Sequence, residues 1–121
     1  MKILVVDDSK AMRMIVVRTL RQAGFSGHDV VEAENGKEAL EKTRELKPDL
    51  VLSDWNMPEM TGIEFLKALR GSGDSTPFCF VTSEGSEEMR AMASAAGALG
   101  LIAKPFTDDV FRDTLSPVMV S

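Results

Sequence analysis

The 121-residue chain has the length of one ordinary domain, expected to span 1–121, and leaves no room for a second with its own core. Its hydrophobic fraction of 44% and charged fraction of 27% are those of a folded globular protein and exclude wholesale disorder. A net charge of −5, with Lys and Arg scattered among Glu and no basic stripe, argues against a nucleic-acid partner.

The first strand is expected at Ile3–Val6, an unbroken aliphatic run of the kind buried on both faces of a sheet. The apolar start is too short for a signal peptide, and no stretch approaches the length of a membrane span. The chain therefore reads as cytoplasmic, with no membrane partner. From Ser9 to about Ala23 a helix is predicted, with Met12, Ile15, Val16 and Leu20 inward and Arg13, Arg18, Arg21 and Gln22 outward, closed by Gly24. His28–Ala33 gives a second strand, and Asn35-Gly36 reads as a turn. A helix follows, with Ala39, Leu40, Thr43 and Leu46 inward, up to Pro48.

Leu50–Ser53 is the third strand, running into Asp54, and Gly62 precedes a helix with Ile63, Leu66 and Leu69 on one face. Phe78–Val81 is the fourth strand, in which the lone Cys79 reads as a small buried hydrophobe and excludes an intrachain disulfide. Ser86–Ala96 is a helix rich in Ala and Met, and Leu99–Ala103 a fifth strand. Thr107 is a plausible N-cap for a last helix whose Asp108 and Asp109 suit the positive end of its dipole. Val110, Phe111, Leu115 and Val118 are expected inward, and Pro117 should kink or end that helix. Five strands alternating with five helices call for an α/β fold: a doubly wound parallel sheet, with the flavodoxin-like order 2-1-3-4-5 the common small solution.

In such sheets ligands bind beyond the carboxyl ends of the strands. Those ends carry Asp7-Asp8, Asp54, Thr82-Ser83 and Lys104. Singly, each has a bland explanation: a turn former, an N-cap, a strand threonine, a solvated lysine. Together they bring three carboxylates, one or two hydroxyls and one ammonium to one rim. Two like charges about 4 Å apart repel by about 4 kcal/mol at an effective dielectric of 20, which a hard divalent cation relieves. With no His cluster and no second Cys, Mg²⁺ is the expected ion.

These residues resemble the CheY-like receiver domain of two-component response regulators over essentially the whole chain. The resemblance rests on Asp7-Asp8, on Asp54-Trp55-Asn56-Met57-Pro58 with Gly62, on Val81-Thr82, and on Lys104-Pro105-Phe106. It implies that Asp54 is the phospho-acceptor, taking a phosphoryl group from a sensor histidine kinase or phosphotransfer protein. It further implies Mg²⁺ ligation by Asp8, Asp54 and the Asn56 backbone carbonyl, and by Asp7 through water. Lys104 and Thr82 would contact phosphoryl oxygens, and Lys104-Pro105 is a candidate cis peptide. The protein would thus catalyse its own phosphorylation and dephosphorylation while acting as a signalling protein. A downstream target would dock on the face of the fourth helix, fifth strand and fifth helix. Asn56 and Glu84 would tune attack by water, and here they match the chemotaxis pair, so a short-lived phosphate is expected. One departure stands out: the switch position, usually aromatic, is Leu101, and the chain has no Tyr.

Other readings fare worse. A flavodoxin needs a Ser/Thr/Gly-rich loop where this chain has Asp7-Asp8-Ser9-Lys10, and a haloacid-dehalogenase-type phosphatase needs a second Asp at position 9. A receiver-shaped module that is never phosphorylated is disfavoured by intact Asp7, Asp8, Asp54, Thr82 and Lys104. Chemotaxis-like docking is the leading expectation, with phosphorelay shuttling behind it.

Overall fold

A computed structural model describes residues 1–119. Along the chain run β1 (Lys2–Val6), α1 (Lys10–Gln22), β2 (Asp29–Ala33), α2 (Gly36–Leu46), β3 (Leu50–Ser53), α3 (Gly62–Gly71), β4 (Phe78–Thr82), α4 (Glu87–Ala95), β5 (Gly100–Ala103) and α5 (Asp108–Leu115). The five strands form one sheet in the order β2-β1-β3-β4-β5, every pair parallel. This is the expected flavodoxin-like α/β architecture.

Alternation along the strands separates the core into two halves. Leu4, Val6, Val51, Phe78 and Phe80 face Ala39 of α2, the Ile63, Phe65, Leu66 and Leu69 stripe of α3, and Ala93 of α4. Ile3, Val5, Leu50, Leu52, Cys79, Val81 and Ile102 face Val16 and Leu20 of α1 and Phe111 and Leu115 of α5. Burial on both faces explains why β1, β3 and β4 read as apolar runs rather than alternating ones, whereas the edge strand β2 keeps Asp29 and Glu32 exposed. A fully buried Leu or Phe contributes about 1.5–3 kcal/mol relative to exposure, so the two half-cores dominate the fold's stability.

All five helices start on a hydroxyl or amide side chain that accepts the backbone N–H three residues on: Ser9, Asn35, Thr61, Ser86 and Thr107. Each cap stabilises its helix by about 1 kcal/mol. Thr61 and Glu64 complete a reciprocal capping box. Gly24 closes α1 with φ +98°, a conformation suited to glycine, and Pro117 lies just past the last turn of α5.

Local expectations failed at four places. Asn35-Gly36 is the start of α2 rather than a separate turn, because the Asn35 side chain caps the Glu38 N–H. Gly36 lies against Met60, where an added Cβ would sit 2.6 Å from the Met60 carbonyl oxygen. Ile15 and Val110, expected inward, are 40% and 42% exposed. Arg13, expected outward, is buried. Positions 13, 16 and 20 form the buried stripe of α1, so Ile15 falls off its edge and Arg13 on it.

Candidate functional site

Strand register builds the site. Val6 pairs with Ser53, so the residues that follow, Asp7 and Asp54, leave β1 and β3 side by side. The ladder runs one residue further at each end: the Asp7 N–H donates to the Ala33 carbonyl at 3.1 Å, and the Asp54 N–H to the Val6 carbonyl at 2.8 Å. On the other side of β3, the Lys104 N–H donates to the Thr82 carbonyl at 2.8 Å. The backbone of every one of these residues is therefore fixed by the sheet.

One carboxylate oxygen from each of Asp7, Asp8 and Asp54 lies within 4.8 Å of the others. Asp7 is buried, Asp8 exposed, and Asp54 9% exposed. The Lys104 ammonium reaches in from β5, 3.1 Å from Asp7 Oδ2 and 3.9 Å from Asp54 Oδ2. The Lys104-Pro105 peptide is cis. Asp7 Oδ1 accepts the Ser9 N–H at 2.8 Å, and Asp54 Oδ1 accepts the Trp55 N–H at 2.7 Å.

The electrostatic balance shows at Asp54, whose carboxyl is held above the ordinary carboxylate range. Burial is the main cause. Lys104 opposes it, Asp7 adds to it, and the Trp55 amide and Thr82 hydroxyl pull the other way more weakly. One ammonium faces three carboxylates, so the rim keeps uncompensated negative charge. The donors are all hard oxygens, with no imidazole or thiolate among them, which suits a hard divalent cation.

Around this cluster, Thr82 is fully buried and its hydroxyl accepts the Glu84 N–H at 3.4 Å. Asn56 and Glu84, expected as a functional pair, touch: Asn56 Nδ2 donates to Glu84 Oε1 at 3.4 Å across the mouth of the site. Leu101 is 7% exposed and packs in the α2–α3–α4 half of the core. Trp55 packs on Phe80 with ring centroids 4.7 Å apart, anchoring the loop after β3. Gly62 is needed where that loop returns, since a Cβ there would lie 2.2 Å from the Asp54 carbonyl oxygen.

Sequence reasoning missed Arg13. Its Nη1 donates to the Asp7 carbonyl at 2.6 Å and its Nε to Glu32 Oε1 at 2.7 Å. The available signal was its helical register with Val16 and Leu20, which outweighs the rule that charged residues face water.

Among the described residues no helix is long and apolar enough to cross a membrane. A sequence profile of the response regulator receiver domain matches residues 3–116. The chain is 42% identical to a chemotaxis protein CheY homolog of Campylobacter jejuni, covering 98% of this chain and 92% of the relative. It is 40% identical to chemotaxis protein CheY1 of Helicobacter pylori, covering 98% and 97%. Its fold superimposes on the chemotaxis response regulator CheY4 of Vibrio cholerae with a TM-score of 0.82, at 41% identity and 97% coverage of both chains. A match to nearly every position, joined to three aspartates and a lysine meeting at the carboxyl edge of a 2-1-3-4-5 sheet, places this chain in the response regulator receiver domain family.

Proposed function

We propose that the chain works as a single receiver domain over 1–121, in the cytoplasm, accepting a phosphoryl group on Asp54 in a Mg²⁺-dependent reaction. The observation that carries this reading is the convergence of Asp7, Asp8 and Asp54 within 4.8 Å, with Lys104 beside two of them. Asp8, Asp54 and the Asn56 carbonyl are the direct metal ligands, and Asp7 acts through water. When bound, Mg²⁺ neutralises charge on the phosphoryl oxygens. An Asp54 carboxylate oxygen attacks phosphorus, the O–P bond forms, and the N–P bond of a kinase or phosphotransfer-protein phosphohistidine breaks, releasing imidazole. Lys104 pairs with one phosphoryl oxygen and Thr82 donates its hydroxyl to another, drawing on the loop that leads to α4. Asn56 and Glu84 set the access of water to the aspartyl phosphate.

The signal is read by docking on the α4–β5–α5 face. Chemotaxis is the favoured context, because relatives at 40–42% identity carry that name. Incubation with Mg²⁺ and acetyl phosphate, followed by intact mass, tests the chemistry. Gain of one phosphoryl group in the wild type and none in Asp54→Ala is expected. No gain in the wild type would favour an interaction module that is never phosphorylated.

A further inference from the structure

We infer that Arg13 is a positioning residue for the metal-binding aspartates, acting through the backbone rather than through charge; the inference rests on the proposed Mg²⁺ role of Asp7 and Asp8. Arg13 leaves the buried stripe of α1 with its side chain only 8% exposed. Its guanidinium spends one donor on the Asp7 main-chain carbonyl, 2.6 Å away, and another on the Glu32 carboxylate at the end of β2, 2.7 Å away. The Asp7 carbonyl belongs to the peptide that joins Asp7 to Asp8, so the clamp fixes the plane from which both carboxylates spring. The Asp7 N–H is held by the Ala33 carbonyl of the same strand β2. Both faces of the Asp7 residue are thus tied to β2, one directly and one through Arg13 and Glu32. Planar guanidinium geometry makes such a two-point bridge, which a lysine ammonium on a flexible stem does not reproduce.

Position and charge predict opposite signs, which makes the idea decidable. A cation next to three carboxylates competes with Mg²⁺, so a purely electrostatic Arg13 would weaken metal binding and its removal would tighten it. A positioning Arg13 does the reverse. Groups that orient metal ligands from behind typically change affinity by about 10–100-fold when removed.

Mg²⁺ binding is measured calorimetrically, and in parallel by the fluorescence of Trp55, the sole tryptophan and the neighbour of Asp54. We expect Arg13→Ala to raise the Mg²⁺ Kd by about 10-fold or more, Glu32→Gln to raise it by a smaller factor, and the double variant to be no worse than Arg13→Ala. That non-additivity marks one chain of contacts. Unchanged or tighter binding in Arg13→Ala overturns the inference, as does full additivity with Glu32→Gln. If Arg13→Ala does not fold, Arg13→Lys carries the test under the same criteria. A lower melting temperature without Mg²⁺ and an unchanged Kd would make Arg13 merely structural and also overturn it. Absence of Mg²⁺ binding to the wild type would instead strike the proposed metal chemistry itself.

Discussion

Asp54 is held in a conflict that its neighbours only partly resolve. Burial disfavours its charge, Asp7 repels it, and Lys104 is shared between the two carboxylates. The carboxyl therefore titrates above its usual range. A folded-state value raised above the unfolded one means that the native protein binds the proton more tightly. The resulting penalty is absent at low pH, develops as pH rises through the unfolded and then the folded value, and is full at neutrality. Asp54→Asn removes the charge and keeps the shape. In metal-free buffer at pH 7 it should melt a few degrees above the wild type. Thermal melts from pH 7 downward should show that gap closing as Asp54 takes up its proton. A gap that widened on acidification would contradict the assignment of burial as the dominant cause.

At the scale of elements, the loop after β4 must be joined to α4 and β5, part of the face proposed above for docking, although position 101 carries Leu rather than an aromatic ring. Leucine has no ring to turn, and Leu101 is buried. The link is Arg90 of α4, whose Nη1 donates to the Leu101 carbonyl at 2.9 Å and whose Nε donates to the Gly85 carbonyl at 3.4 Å. Gly85 lies close on β5, where an added Cβ would be 3.0 Å from that of Ala103 and 3.7 Å from Leu101 Cδ2. The guanidinium thus ties helix, loop and edge strand at one point. Arg90→Ala should speed amide exchange at Glu84 and Met89, whose N–H groups donate to the Thr82 and Ser86 hydroxyls on either side of Gly85, by roughly 5–10-fold, corresponding to loss of about 1 kcal/mol of local hydrogen bonding. Amides of β1 and β3 should keep their protection, and equal acceleration there would mean global destabilisation instead. This contact also shows where sequence reading stops. Strand ends were legible because apolar runs stop at Asp7, Asp54 and Thr82, and helix starts because Ser86 and Thr107 are recognisable caps. The partners of Arg13 and Arg90 were not, because both guanidinia bind backbone carbonyls, and which carbonyl lies within reach is set by packing rather than by residue type.

Across the whole molecule, the two half-cores lie on opposite faces of the sheet, and the charged rim gathers side chains from segments that lead to both. Asp7 and Asp8 lead into α1 on one face, Asp54 leads into the loop before α3 on the other, and Lys104 leads into α5. A cation bridging these carboxylates joins segments that otherwise repel, and only the folded chain assembles them. Mg²⁺ should therefore stabilise the entire domain by linkage, by about 1.4 kcal/mol at ten times its Kd, a rise of roughly 4–8 °C in melting temperature. Asp8→Ala decides whether the rise comes from this site. Asp8 is exposed and packs in neither half of the core, so its loss leaves the fold intact and, by removing one repelling charge, should raise the metal-free melting temperature slightly. Its melting temperature should then respond to Mg²⁺ far less than that of the wild type. Melts of both proteins across a Mg²⁺ series, at constant ionic strength to cancel simple screening, read the difference directly. A full response in Asp8→Ala would move the cation elsewhere on this acidic surface and remove Asp8 from the ligand set.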